Sequence, residues 1–365
     1  MPEWTPEQDR ALGAVAAWLA TPRGPQIFRL FGYAGTGKST LARYLAEHVD
    51  GHVAFAAFTG KAALVMRARG CRDARTIHSL IYRATDTETE EPSFELNDES
   101  DAARAALIVI DECSMVDDEL GRDLLSFGKK VLVLGDPAQL PPVRGGGFFT
   151  AAEPDVMLTE VHRQAADNPI IRLSMTIREG GAPARGVYGE THVVARGDLD
   201  PALVTEADQV LVGVNRTRRA YNGRLRQLRG FTGDLPQSGE KLVCLRNNRK
   251  KGLLNGALFR VKSAGALRRG KVRLLVTPEE GETGKFQRVA VIPQFFEGGD
   301  AEIPFALRKD SDEFDFGYAL TVHKAQGSQW DNVALFDESF AFREHRARWL
   351  YTGVTRAAKR LTLVV

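Results

Sequence analysis

A chain of 365 residues is too long for one ordinary domain and long enough for about two to four. Its 43% hydrophobic and 26% charged content excludes a disordered or fibrous protein. With a net charge of only +2, no basic tail or globally basic surface announces nucleic acid, so a nucleic-acid site would have to be a local groove. The three cysteines, Cys71, Cys113 and Cys244, form no C-x-x-C pair, which argues against zinc and for a reducing compartment. The N-terminus, MPEWTPEQDR, lacks the plan of a signal peptide, and no run is long and apolar enough to span a membrane. A cytoplasmic protein is expected.

The first 150 residues alternate strand-like and helical patterns. Residues 26–31 (QIFRLF), 53–58 (VAFAAF), 106–110 (ALIVI) and 131–134 (VLVL) read as strands of a parallel sheet buried on both faces. Helical stretches such as 39–49 lie between them, which predicts a doubly wound α/β sheet. Residues 81–104 break the rhythm: TDTETEEPSFELNDESD is polar and acidic and reads as an inserted excursion, a loop or a small hairpin. After residue 150 the alternation resumes with a strand at 209–214 and a basic helix at 216–229. From about 230 to 310 short strands separated by Gly-rich turns predict a small β-barrel inserted into an α/β domain. The α/β pattern returns at 316–323, 332–336 and 361–365.

Gly32-Tyr-Ala-Gly35-Thr36-Gly37-Lys38-Ser39 fits G-x-x-x-x-G-K-[ST] between a strand and a helix. The glycines let backbone N–H groups turn toward phosphates, and the helix N-terminus adds partial positive charge. Lys38 is expected to meet the β- and γ-phosphates of ATP, Ser39 to ligate Mg²⁺, and Gly35, Thr36, Gly37 and Thr40 to border the nucleotide. The strand Leu107-Ile-Val-Ile-Asp111-Glu112 delivers Asp111 to the sheet edge as a second Mg²⁺ group, with Glu112 as general base. After the next strand, in GDPAQLPP, Gln139 could sense the γ-phosphate or orient water, although Asp-Pro alone is simply a turn starter.

With these motifs assembled, the chain resembles the RecD-like and Dda-like helicases of superfamily 1B, in motif order across nearly its whole length. Gln8 in TPEQDRAL is similar to the early Gln that reads adenine. Phe58-Thr59-Gly-Lys61 and Thr76-Ile-His78 resemble elements that meet DNA. Val161-His-Arg163-Gln resembles the motif whose arginine reaches the γ-phosphate from the second domain, and Tyr351-Thr-Gly-Val-Thr-Arg356 the motif that supplies the arginine finger. Tyr318-Ala-Leu-Thr321-Val-His323-Lys-Ala-Gln-Gly327-Ser is the most specific match, with Gly327 beside nucleotide and Thr321 and His323 beside DNA.

The resemblance implies two RecA-like P-loop motor domains with ATP and Mg²⁺ between them. The first would span 1–150 with a small hairpin at 81–104. The second would span 151–365 with an SH3-like β-barrel at 230–310. It implies 5′-to-3′ movement on single-stranded DNA, unwinding at single-strand/duplex junctions, and a monomer with no membrane partner. Two alternatives stay open, an RNA helicase and a nucleotide-switched remodeller that grips DNA without stepping. Phe148 and Phe149 read as core more readily than as base-stacking groups. The cluster Arg246, Arg249, Lys250 and Lys251 fits a phosphate track and a solvated turn equally.

Overall fold

The computed structural model describes residues 4–84, 94–142, 146–160, 167–279, 285–298 and 303–365. The chain divides into two compact units, Met1–Arg178 and Glu179–Val365.

The strands of the first unit are β1 (Ile27–Gly32), β2 (Val53–Ala57), β3 (Arg75–Thr76), β4 (Tyr82–Ala84), β5 (Phe94–Leu96), β6 (Leu107–Asp111), β7 (Lys130–Gly135) and β8 (Val156–Leu158). Its helices are α1 (Pro6–Leu19), α2 (Lys38–Ala46), α3 (Gly60–Ala68), α4 (Ile77–Ile81), α5 (Asp101–Arg104), α6 (Asp118–Leu125) and α7 (Pro169–Arg178). Six strands form one sheet in the order β3-β2-β6-β7-β1-β8, with every pairing parallel.

The apolar runs of β6 and β7 are covered on both faces, as an all-parallel sheet requires. Leu107, Val109, Leu132 and Leu134 pack with Ala11, Val15, Leu41 and Leu45. The alternate residues Ile108, Ile110, Val131 and Val133 pack with Ile77, Leu80, Leu120 and Leu124. Each such buried aliphatic side chain contributes about 1.5–3 kcal/mol, so the strands are held by the period-2 pattern itself.

The expected division after residue 150 falls too early. β8 pairs parallel with β1 through Leu30↔Val156 to Gly32↔Leu158, so the chain is still completing the first sheet there. Within the excursion at 81–104, β4 and β5 pair antiparallel, and residues 85–93 lie outside the described residues. Its last part rejoins the body of the unit: Ser100 caps α5, and Ala102 is buried in the core.

The second unit holds β9 (Gly186–Tyr188), β10 (Thr191–Val194), β11 (Gln209–Val212), β12 (Lys241–Cys244), β13 (Leu258–Arg268), β14 (Lys271–Pro278), β15 (Gln287–Val291), β16 (Phe314–Phe316), β17 (Ala319–Thr321), β18 (Trp330–Phe336) and β19 (Ala357–Val364). Its helices are α8 (Pro201–Thr205), α9 (Asn215–Leu228), α10 (Gln294–Glu297), α11 (Phe305–Lys309), α12 (Val322–Ala325) and α13 (Arg346–Val354). One sheet runs β17-β11-β18-β19-β10-β9, parallel except for the edge strand β9.

A second sheet, β15-β14-β13-β12-β16, is antiparallel throughout and is inserted between β11 and β17. Its last strand, β16, lies beyond residue 310, because β16 pairs with β12 through Leu242↔Phe316 and Cys244↔Phe314. Both sheets share one core, in which Phe259, Phe295 and Phe314 meet Val210, Ala319 and Phe336. Two arginines of α9 are spent on this junction. Arg226 forks onto the buried Glu240 at 2.6 and 3.0 Å and lies 3.8 Å above the Phe316 ring. Arg218 bonds Asp315 at 2.6 Å.

Among the described residues no helix is long and apolar enough to cross a membrane. Cys71, Cys113 and Cys244 are buried free thiols.

Candidate nucleotide site and nucleic-acid track

Three neighbouring strands of the first sheet, β6, β7 and β1, send their carboxyl ends to the same edge, where ligands of open parallel sheets bind. The loop after β1 turns into α2 at Gly37, which caps the helix in the left-handed region at φ +82°. Gly32 is needed for close approach: a Cβ there would lie 2.6 Å from Thr36 Oγ1 and 2.8 Å from Leu158 Cβ. Lys38 Nζ folds back over the loop and donates to the carbonyls of Gly32 (2.5 Å) and Tyr33 (2.9 Å).

Gln8 is buried and ties α1 to this loop. Its Oε1 accepts from Thr5 N in a capping box, and its Nε2 donates to Thr36 O at 3.0 Å. Arg178 lies 3.6 Å above the Tyr33 ring. That contact has no sequence signature, since a cation at the end of a helix is ordinarily solvated.

The structure brings Ser39 and Asp111 together, Ser39 Oγ donating to Asp111 Oδ2 at 2.8 Å. Asp111 Oδ1 accepts from Glu112 N at 2.8 Å. Glu112 itself occupies the left-handed region, φ +53° and ψ +46°. This conformation costs a non-glycine residue about 1–2 kcal/mol and turns the chain sharply off the end of β6. Past the end of β7, Asp136 is buried and accepts from Ala138 N at 3.0 Å. Gln139 is also buried, and its Oε1 accepts no hydrogen bond among the described residues. Thr40 is exposed on the first turn of α2.

These groups fit a magnesium nucleotide. A hydroxyl and a carboxylate oxygen in contact form a hard-oxygen donor pair, and the Gln139 oxygen at the same sheet edge is left with capacity to accept. Among the described residues no group of three or more His, Cys, Asp or Glu is placed to hold a metal ion. A cation here would therefore take few protein ligands and share the rest with phosphate and water, the habit of Mg²⁺.

The candidate DNA residues repeat one local device. Thr59, Thr76 and Thr321 are helix N-caps, accepting from Ala62 N (3.1 Å), Ser79 N (3.2 Å) and Lys324 N (3.3 Å). His78 is exposed on α4, its ring 6.4 Å from Phe58 and 5.7 Å from Tyr82. His323 on α12 lies 5.3 Å from the Phe342 ring. Desolvation beside these rings holds both imidazoles below the usual histidine pKa; Asp117 and Glu119 oppose this at His78, and His345 adds to it at His323. Lys61, early in α3, is 4% exposed.

In the second unit Gly327 is left-handed at φ +72°. Arg356 is buried, its guanidinium donating to Thr352 O (3.0 Å), Ser328 O (3.2 Å) and Thr355 Oγ1 (3.1 Å). Arg163, with the rest of 161–166, lies outside the described residues. Two of the four cations at 246–251 are paired, Arg246 with Glu313 (3.4 Å) and Lys251 with Asp312 (2.5 Å). Phe149 is core, and Phe148 packs so closely on α6 that a Cβ at Gly121 would overlap its ring.

Sequence reasoning missed Glu338. This buried carboxylate follows β18 and accepts from Gly213 N (2.6 Å), Val214 N (3.2 Å) and Thr217 Oγ1 (2.6 Å) at the N-terminus of α9. In the second sheet, the turn after β11 thus holds the protein's own anion.

The AAA domain family matches residues 4–198, and the UvrD-like helicase C-terminal domain matches 316–364. The chain is 30% identical to the ATP-dependent RecD2 DNA helicase of Deinococcus radiodurans, over 92% of this chain and 46% of that protein. It is 32% identical to the ATP-dependent DNA helicase dda of Enterobacteria phage T4, over 44% of this chain and 42% of that protein. With the ATP-dependent DNA helicase Pif1 of Bdellovibrio bacteriovorus it shares 24% identity over 91% of this chain and 81% of the relative. It thus spans less than half the length of RecD2 and of Dda. A crystal structure of Bacteroides Pif1 bound to ssDNA superposes with a TM-score of 0.62 at 19% identity, covering 100% of this chain and 93% of that one, and shares the fold. The chain belongs to the AAA domain family and is similar to the RecD2, Dda and Pif1 helicases, the superfamily 1B group.

Proposed function

We propose that this chain is an ATP-dependent 5′-to-3′ translocase on single-stranded DNA and a DNA helicase. The observation that carries the reading is the Ser39–Asp111 contact beneath a glycine loop whose lysine is folded over it. A family whose named relatives are ATP-dependent DNA helicases supports it, and the polarity rests on resemblance to those families.

In this reading the backbone N–H groups of residues 35–40 surround the triphosphate, and Lys38 exchanges two loop carbonyls for β- and γ-phosphate oxygens. Ser39 and Asp111 hold Mg²⁺, which when bound neutralises phosphate charge. Glu112 takes the proton of the attacking water, and the free oxygen of Gln139 orients that water. Gln8 positions the loop and meets the adenine edge. By resemblance to the family motifs, Gly327 borders the nucleotide and Arg163 and Arg356 meet transition-state charge, for which Arg356 leaves its carbonyl partners. Thr59, His78, Thr321 and His323 follow the strand, while the buried Lys61 supports that track from beneath.

The two units act as RecA-like motor domains. The five-stranded antiparallel sheet closes as an SH3-like barrel, and the β4–β5 pair is the hairpin of the first domain. The motor acts as a monomer at single-strand/duplex junctions. Strand displacement on duplexes with a 5′ or a 3′ single-stranded tail, in DNA and RNA versions, tests the proposal. Unwinding of 5′-tailed DNA alone, lost in Lys38→Ala, is expected. ATP hydrolysis without displacement of any substrate would leave a nucleotide-switched DNA binder.

A further inference from the structure

Residues 241–278 carry eleven Lys or Arg and no Asp or Glu, in a chain whose net charge is only +2. Nine of these cations fall into two sets. Lys241 and Arg260 pair with Glu279, Arg246 with Glu313, and Lys251 with Asp312. The second set lies toward the far end of the β13–β14 ribbon: Lys262, Arg268, Arg269, Lys271 and Arg273, joined by Arg288 of β15. Among the described residues none of these six is within ion-pair distance of a carboxylate. Lys271 bonds only a carbonyl, that of Asp310.

The backbone presents these charges outward. Val272, Leu274 and Val276 of β14 and Val289 and Val291 of β15 turn into the core. Arg273 and Arg288 therefore share the opposite face, where the register Arg273↔Ala290 and Leu275↔Arg288 makes them diagonal neighbours. The ribbon turns through Arg269 and Gly270, at φ +51° and +72°. That pair of left-handed residues is the hairpin turn that normally selects Asn-Gly. An arginine accepts strain there and projects its side chain from the tip.

Protection of an open edge explains part of this pattern. β12 pairs with β13 only over Leu258–Arg260, and charges along the free edge beyond would discourage strand addition. That accounts for Lys262 and Arg268. It does not account for Arg273 and Arg288 on a sheet face, or for Arg269 at the tip.

We propose that the β13–β14 ribbon, with Arg288 beside it, is a contact for the phosphate backbone of double-stranded DNA. Cations at fixed spacing on a stiff ribbon suit a stiff polyanion, and phosphate contacts carry no sequence information. The assignment rests on the helicase reading, which places a duplex next to the strand being followed.

The test compares the full chain with the combined variant Arg268→Gln, Arg269→Gln, Arg273→Gln and Arg288→Gln. Binding is measured without nucleotide, across a salt series, to a 20-base-pair duplex and to a 20-nucleotide single strand. The log–log slope on duplex should flatten by about 3 to 4, from about 0.9 per lost contact, with affinity down about tenfold or more at 0.1 M salt. Single-strand affinity and single-strand-stimulated ATPase should stay within about twofold. Arg269→Gly removes one charge together with the strain. It should melt no lower than the unmodified chain and flatten the duplex slope by about 0.9, which keeps the test decisive if the combined variant folds poorly. An unchanged duplex slope in folded protein would overturn the assignment, as would equal losses on duplex and single strand. The same slope change in a chain that neither hydrolyses ATP nor separates strands would sink the motor proposal and leave the ribbon contact standing.

Discussion

The hydroxyl of Ser39 donates a 2.8 Å hydrogen bond to the Asp111 carboxylate across 72 positions of sequence. The contact exists because β1 and β6 flank β7 in one parallel sheet and end at the same edge. If the two oxygens share one cation, Ser39→Ala and Asp111→Asn should each weaken Mg²⁺-dependent nucleotide binding. The double variant should then lose less than the sum of the single losses, because the residues serve one site. Isothermal titration with and without Mg²⁺ measures the cycle, and strict additivity would separate the pair into two unrelated groups.

Glu112 combines a reactive side chain with left-handed backbone. Glu112→Gln should bind ATP with near-normal affinity while kcat falls by orders of magnitude. A collapse of ATP affinity in Glu112→Gln would mark Glu112 as a structural residue.

Arg356 satisfies the carbonyls of Thr352 and Ser328 in a buried setting. Arg356→Ala should therefore cost both stability and chemistry. Leaving those carbonyls unpaired predicts a loss of about 1–3 kcal/mol. An arginine acting on transition-state charge predicts a kcat about a hundredfold lower or more, with a smaller change in nucleotide affinity. Normal kcat per folded molecule alongside a lowered Tm would leave Arg356 with only its structural role.

Glu338 closes the turn after β11 with its own carboxylate. Glu338→Ala should destabilise the second unit by about 2–3 kcal/mol, because two backbone N–H groups and a hydroxyl lose a buried charged acceptor. The vacated N-terminus of α9 should then accept a small anion. Millimolar phosphate should raise the Tm of the variant more than that of the parent; equal shifts would contradict this account.

His323 is held below the ordinary pKa of 6.5, chiefly by desolvation. Between the lowered folded value and 6.5 the unfolded chain binds more protons, so stability falls as pH drops through 6.5 and levels off below the folded value. Tm should be steady above pH 7 and decline from about 6.5 downward. His323→Gln should show a shallower decline, and an unchanged one would place the acid sensitivity elsewhere.

Much of the first site was legible in the chain because its parts are local. A glycine loop between an apolar strand and a helix, and an apolar run ending in two acids, each state their conformation within ten residues. The parallel sheet followed from the same runs, since a strand apolar on both sides must be covered on both sides. Partners chosen across long separations were not legible. Glu313 and Asp312 neutralise Arg246 and Lys251 only because β16 returns beside β12. Glu338 reaches Gly213 and Val214 only because β18 lies next to β11. Residues 156–158 follow the division expected after residue 150, and only the pairing of β8 with β1 returns them to the first sheet. Sequence periodicity sets which face of an element is apolar; which charge meets which is decided only when the sheets assemble.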